Sequence, residues 1–339
     1  MPDGQQLICV DQKNMDFVKN LIAVLRIYAA MIVATAVLLI LLSCNEEPLN
    51  RRLTPITKAF GAVMDWSPDG QWIAIGWFGD PIAVSRGIYL VRPDGSDLQY
   101  FFAFDEPISI LDICWSPDGK WLAFVASQQY ITNEVFKIKV TGDSLIRLTF
   151  TGDNYECDWA NSDTLMAYEY AGRINAGIWL MDKNGMNSKF FIAHGAYLDF
   201  ALNDSLIYIR SINSDTAIMG IMNTSDSGGR IIYRWKIGVP YTIYADPAAS
   251  PTASEIALEI NGQIWKMNLS GQDLAKLTVA GGGGPAWSPD GQYIVYNQPG
   301  GKPMGGTVWI MRADGTEYHI LIDWNKVPAV SKVKSKHFN

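Results

Sequence analysis

Apolar residues along this chain fall into two patterns. One is a single uninterrupted run from Ile27 to Leu42 (IYAAMIVATAVLLILL). The other fills most of the remainder: short stretches rich in aromatic and β-branched residues, separated by clusters of Ser, Pro, Asp and Gly. Stretches of that kind predict β-strands joined by tight turns. No segment within residues 55–325 carries a convincing helical period.

The turn clusters repeat. Trp66-Ser67-Pro68-Asp69-Gly70-Gln71-Trp72-Ile73-Ala74-Ile75 recurs as Trp115-Ser116-Pro117-Asp118-Gly119-Lys120-Trp121-Leu122-Ala123-Phe124, and again from Trp287 to Tyr296. Weaker copies start at Trp159, Phe200 and Ser250. A second series of turns carries Gly95, Gly142, Gly185, Gly228, Gly271 and Gly315, spaced by 47, 43, 43, 43 and 44 residues. An aromatic residue stands six positions before that glycine in five of the six repeats: Tyr89, Phe136, Trp179, Trp265 and Trp309. Self-similarity at this period indicates a solenoid or a propeller. In Ser-Pro-Asp-Gly the proline presets φ, the aspartate bonds nearby amides and the glycine accepts positive φ. Two hairpin turns per repeat mean four short antiparallel strands, which is one propeller blade. The expected fold is all-β: a six-bladed β-propeller of four-stranded antiparallel blades, in which the Trp ending the first strand and the aromatic of the third pack between blades.

Trp-Ser-Pro-Asp-Gly followed by a segment such as Ile88 to Ser96 (IYLVRPDGS) resembles the TolB-type propeller repeat, which also builds the propellers of dipeptidyl peptidases and prolyl oligopeptidases. The resemblance covers residues 52–325 and implies the six-bladed ring. It extends to neither the small α/β domain that precedes the propeller in TolB nor the hydrolase domain of the peptidases. Arg52-Leu53-Thr54 matches Arg147-Leu148-Thr149 and Lys276-Leu277-Thr278, which close repeats, so the N-terminal strand is expected to complete the last blade. Tyr318 to Ile322 competes for the same slot.

The first apolar run has a different meaning. Lys13, Lys19 and Arg26 precede it and Ser43-Cys44 follow it, the layout of a secretory signal peptide. It is short for a membrane span, which takes about 20 apolar residues. Leu41-Leu42-Ser43-Cys44 resembles the lipobox of bacterial lipoproteins, which implies lipidation of Cys44; an uncleaved anchor helix is the rival reading. The expected division is residues 1–43 as signal peptide, 44–51 as tether, 52–325 as propeller and 326–339 as a basic tail. In either reading the protein is exported and held at a membrane, on the periplasmic face of the outer membrane or at the cell surface.

Composition narrows the function. A length of 339 residues alone suggests about two domains, but the repeats merge them into one ring. The net charge of −7 argues against a nucleic-acid partner. Three histidines (His194, His319, His337) leave little material for a histidine-dependent enzyme, and no Gly-x-Ser-x-Gly elbow occurs. The adjacent Asp and Gly of the turn also depart from the Ser-x-Asp-x-Gly-x-x-Trp boxes of sialidases. Cys114 and Cys157 are expected as buried free thiols, since inner strands of neighbouring blades rarely approach to disulfide distance. The twelve tryptophans reduce to three outside repeat positions: Trp77, Trp235 and Trp324.

Acidic residues remain. Asp65, Asp112, Glu156, Asp158, Asp199 and Asp246 lie just before the first-strand Trp or its equivalent, where first strands line a propeller's channel. They are the candidates for a channel-mouth site, and three readings stay open: bonds to backbone amides at strand entry, a mouth for a protein or peptide, or a metal such as calcium. No cofactor is called by motif. The functional expectation is a monomeric, non-enzymatic binding or scaffold module for an envelope protein, peptide or glycan. The alternative is a metal-dependent hydrolase or lactonase.

Overall fold

The computed structural model describes residues 62–327, apart from 78–85, 105–107, 129–131, 151, 214, 226–227, 237–245 and 299–305. The signal-peptide and lipidation assignments (Cys44 included), the tether, the Arg52-Leu53-Thr54 strand and nearly all of the basic tail lie outside the described residues. Among the described residues no helix is long and apolar enough to cross a membrane.

Among the described residues twenty-four strands form six separate four-stranded antiparallel sheets. Blade 1 holds β1 (Ala62–Trp66), β2 (Ile73–Trp77), β3 (Gly87–Val91) and β4 (Gln99–Phe102). Blade 2 holds β5 (Ser109–Trp115), β6 (Trp121–Gln128), β7 (Thr132–Lys139) and β8 (Ile146–Arg147). Blade 3 runs through β9 (Asn154–Trp159), β10 (Leu165–Tyr170), β11 (Gly177–Asp182) and β12 (Lys189–Ala193). In blade 4 come β13 (Gly195–Ala201), β14 (Ser205–Asn213), β15 (Thr216–Asn223) and β16 (Gly229–Lys236). Blade 5 has β17 (Ala248–Ala249), β18 (Glu255–Glu259), β19 (Ile264–Asn268) and β20 (Ala275–Lys276). Blade 6 has β21 (Gly283–Trp287), β22 (Tyr293–Gln298), β23 (Thr307–Arg312) and β24 (His319–Asp323). The fold is the all-β, six-bladed propeller expected from the repeats.

In the three repeats that keep Ser-Pro-Asp-Gly, the first turn works as its chemistry dictates. Ser67 N donates to Trp72 O and Gly70 N to Ser67 O, both at 2.8 Å. The Ser67 hydroxyl donates to Asp69 Oδ1 at 2.6 Å and accepts from Trp72 N at 2.9 Å. Gly70 sits at φ +67°, where an L side chain is strained. Ser116-Asp118-Gly119 and Ser288-Asp290-Gly291 repeat the pattern. Each turn also leans on its neighbour, because a Cβ on Gly70 would meet Pro289 at 3.4 Å.

Six apolar clusters fill the spaces between blades rather than the blades themselves. Trp115 and Phe136 pack with Val63, Ala74 and Ile88 of blade 1. Trp159 and Trp179 join the blade 2–3 cluster, and Trp287 and Trp309 the blade 5–6 cluster. A blade therefore buries its faces only against two neighbours, and the ring is the smallest unit with no bare face.

Ring closure differs from the expectation. The fourth slot of blade 6 is filled by β24, which pairs with β23 through Thr307↔Asp323 and Val308↔Ile322. The C-terminal segment thus completes its own blade, because the chain after Gly315 has the length and apolar pattern to form the strand. Blade 6 meets blade 1 by side-chain packing: Ala62, Met64, Trp66 and Tyr89 share one cluster with Ala286, Val295, Ile310 and Ile322. Two of the tryptophans outside repeat positions hold this seam. Trp77 and Trp324 are 2% and 1% exposed, with ring centroids 4.6 Å apart, and Tyr89 lies edge-on to Trp324 at 5.1 Å. Neither is a surface aromatic. We expect Trp324→Ala to lower unfolding free energy by about 3–5 kcal/mol, read from denaturant melts. Trp235→Ala, on the outermost strand of blade 4, should have a much smaller effect.

Candidate functional site

A cavity of about 330 Å³ runs along the propeller axis, lined by residues of all six blades. Its wall is made of first strands, each paired on one edge only. The other edge presents backbone N–H groups with no strand to receive them, and a buried N–H needs an acceptor. The acidic residues supply it. Asp65 Oδ2 accepts from Trp115 N of the next blade at 2.7 Å, and its Oδ1 accepts from Trp66 N at 2.8 Å. Asp158 does the same with Phe200 N at 2.6 Å and Trp159 N at 2.7 Å. Asp199 accepts from Ala249 N at 2.6 Å. Asp112 takes Cys157 N at 2.9 Å, and Glu156 takes Leu198 N at 2.9 Å.

Two rows result. Residues immediately before the Trp position reach the amide of the next blade's Trp position (Asp65, Asp158, Asp199). Residues three before it reach an amide two earlier (Asp112, Glu156). Along a strand the rows are about 7 Å apart. Asp246 occupies the second row in blade 5 and lines the cavity, but there the matching position of blade 6 is Pro285, which has no N–H. All six predicted residues therefore line one channel. Of the three readings, amide bonding is visible at five of them, with a specific form: the bond runs to the neighbouring blade, not only to the local strand entry.

The carboxyls are crowded. Burial pushes Asp65 up to about 8, helped by repulsion from Asp158 and Asp112 and opposed by its two amide donors. Burial also raises Asp158 to about 7, with repulsion from Asp112 adding to it. Asp199 is driven well above the usual carboxylate range by burial and by Asp158, to which it is hydrogen-bonded. Each of the three keeps part of its surface on the channel, so water and ions there moderate these shifts.

The wall is uneven. Where blades 1, 3 and 4 place Asp65, Asp158 and Asp199, blades 5 and 6 place Ala248 and Ala286, and blade 2 places Cys114. Gly284 and Pro285 extend the small, uncharged side. Pro68, Pro117, Asn161, Pro251 and Pro289 rim the end formed by the first turns. Among the described residues no group of three His, Cys, Asp or Glu is placed to hold a metal ion. His194 and His319 are exposed and do not line the cavity; His337 lies outside the described residues. Sequence reasoning missed the role of Cys114 and Cys157 as channel-wall residues, although their place just before Trp115 and Trp159 carried the signal.

No protein-family model matches the chain, and no curated protein sequence is significantly similar to it. Solved structures do resemble it. A putative TolB from Agrobacterium tumefaciens superposes with a TM-score of 0.54 at 18% identity, covering 67% of this chain and 84% of its own. The tricorn protease gives 0.57 at 14% identity, with 78% of this chain matched to 26% of that one. An oligogalacturonate lyase from Vibrio parahaemolyticus gives 0.52 at 11% identity over 74% and 77%. At these identities the likeness is one of fold, and the fold is a TolB-like propeller.

The raised carboxyls set a pH dependence. Between the unfolded value of 3.8 and the folded values of about 7 and 8, the native state binds more protons than the unfolded state. Stability therefore falls as pH rises across that window. The melting temperature should be higher near pH 5.5 than near pH 8.5, and Asp158→Asn should flatten the slope. A slope unchanged by that substitution would refute Asp158 as a raised carboxyl that sets the dependence.

Proposed function

We propose that this chain is an exported, membrane-tethered propeller acting as a non-enzymatic binding module, which takes a cationic segment of another envelope protein into the mouth of its channel. One observation carries the reading: a 330 Å³ cavity to which all six blades contribute, with carboxyls from blades 1 to 5 and small residues, Ala248, Gly284 and Ala286, in its wall. A basic side chain entering it relieves the repulsion among Asp65, Asp158 and Asp199, while the Ala248–Ala286 side accepts apolar surface. The proline rim favours such a role, since rigid turns bind with little loss of conformational freedom. Likeness to a TolB structure supports the reading only at the level of fold, which is a weak warrant for function. Export and tethering rest on the Ile27–Leu42 run and Cys44.

The metal-dependent hydrolase reading draws on the likeness to an oligogalacturonate lyase. The donor set here does not fit it. Both oxygens of Asp65 and of Asp158 accept backbone amides, and the described channel contributes no histidine.

Photocrosslinking tests the proposal. An aryl-ketone amino acid at Asn161, on the rim, should give one discrete protein adduct in intact cells. The same probe at Lys276, on the outermost strand of blade 5, should not. Identical adduct patterns from both sites would overturn the channel as the docking point. Titration with calcium or zinc is expected to leave the melting temperature unchanged, and a saturable rise would revive the metal reading.

A further inference from the structure

Strand direction divides the ring into two faces. Within each blade the strands alternate in direction, so the β1–β2 and β3–β4 turns and their counterparts share one face. A Cβ on Gly119 would meet Pro68 at 3.9 Å and one on Gly70 would meet Pro289 at 3.4 Å, which sets the first turns of neighbouring blades side by side. The connectors lie on the opposite face and bond to one another there. Ala171 N donates to Asp153 O at 2.9 Å, His194 N to Ala176 O at 2.9 Å and Gly282 N to Gly262 O at 2.8 Å.

The two faces present different chemistry to solvent. The three most exposed large apolar side chains among the described residues are Phe150 (74%), Ile174 (76%) and Val279 (82%). All three sit on the connector face: Phe150 between β8 and β9, Ile174 between β10 and β11, Val279 between β20 and β21. None of them joins an inter-blade cluster, so the packing of the ring does not call for them. Exposed Arg173 and Lys326 answer Asp153 and Asp215 on the same face. The turn face instead carries exposed Asp69, Asp94, Asp118, Asp290 and Asp314, with Lys120 paired to one of them.

Both ends of the described chain also reach the connector face. Ala62 opens β1 opposite Trp77, the last residue of β2, and its carbonyl accepts from Asn297 Nδ2 at 2.8 Å. Asp323 closes β24 opposite Thr307, the first residue of β23. Seventeen residues separate Cys44 from Ala62, and beyond Val327 the sequence holds Lys332, Lys334 and Lys336. Fully extended, such a link spans at most about 60 Å. An anchor at Cys44 would thus hold the connector face at high effective concentration near a bilayer, where weak insertion suffices. Presenting the turn face instead would require the link to pass around the ring.

We propose that the connector face docks on the surface of the phospholipid bilayer that holds the chain, with Phe150, Ile174 and Val279 entering its interfacial layer. The inference rests on the export-and-tether reading given above. Apolar tips on a face of nearly balanced charge suit the boundary between headgroups and acyl chains, where apolar burial and the attraction of Lys and Arg to anionic lipid add together. Docked in this way, the ring turns its proline rim and the channel mouth away from the bilayer, open to a partner.

The test uses the full chain, reconstituted through its own N-terminal segment into vesicles of equal parts phosphatidylcholine and phosphatidylglycerol. A diazirine amino acid at Ile174 or at Val279 should give phospholipid adducts on irradiation, read by mass spectrometry. The same probe at Met186, exposed on the turn face, should give severalfold fewer. With the probe at Ile174, Phe150→Asp together with Val279→Asp should cut the adducts severalfold at an unchanged melting temperature. Equal yields at Ile174 and Met186, or a yield indifferent to the two aspartates, would overturn the docking. Protein adducts in place of phospholipid at Ile174 in intact cells would overturn it too, because the face would then belong to a protein partner. Flotation separates the two readings. A chain that floats with the vesicles but gives no Ile174 adduct loses the docking and keeps the tether, whereas a chain that does not float loses both.

Discussion

The rest of the structure depends on how the innermost strand of each blade satisfies its free edge. A β-strand offers hydrogen-bonding groups on both sides, and an edge left open is both unsatisfied and an invitation to wrong pairing. Six first strands around an axis cannot pair with one another, because each blade's sheet runs outward from the channel. Across the four gaps from blade 1 to blade 5 the solution is an acidic side chain that accepts the next blade's amide, with two such acceptors between blades 3 and 4. Asp65, Asp158 and Asp199 each span from one blade's first strand to the amide of the next, 42 to 50 residues away in the chain. Short acidic side chains suit the task, since two oxygens let Asp65 and Asp158 each take one amide of their own strand and one of the next blade. The consequence is a concentration of carboxyls in a narrow space, and that shapes both the channel's electrostatics and its ligand preference.

The local chemistry of the repeats was legible in the sequence; the contacts between repeats were not. Ser67-Pro68-Asp69-Gly70 forms the turn its residue types require, because every bond in it spans five residues or fewer. Strand count followed from the turns. The six acidic positions were also visible, by their offset from the Trp of each repeat. Their partners were hidden, since an amide on the next blade has no sequence signature of its own. Ring closure was misassigned for a related reason. Arg52-Leu53-Thr54 matches a closing strand by motif, yet Tyr318 to Ile322 follows directly on the turn at Gly315 and reaches its slot with far less chain to order. Trp77 and Trp324 escaped the repeat pattern because the seam they fill occurs once in the ring, so no second copy marks them.

Buried carboxyls usually destabilise unless paired, and this channel retains several. Burial and repulsion from Asp158 raise the Asp199 carboxyl toward its neutral form, which lessens the strain, and two amides on each of Asp65 and Asp158 offset part of the burial. What remains is a standing preference for positive charge on the axis. Ala248, Ala286 and Gly284 keep the channel wall of blades 5 and 6 small, and Asp246 beside them adds a further carboxyl. Structural stitching and ligand preference are therefore not rival explanations of the aspartates. The first creates the second.

The two halves of the ring are consequently held by different physics. From blade 1 to blade 5, carboxylates accept backbone amides across the gaps. At the last two gaps the direction reverses: Trp287 Nε1 donates to Ala248 O at 2.9 Å, and Asn297 Nδ2 donates to Ala62 O at 2.8 Å. Pro285 rules out the amide that a carboxylate in blade 5 would need, and the Trp77–Trp324 pair adds apolar packing at the seam. Neither an indole nor an amide titrates near neutrality, so rising pH loosens the gaps that rest on carboxyls and leaves the closing seam untouched. Among the described residues the seam between blades 6 and 1 is closed by packing and by bonds that do not depend on protonation.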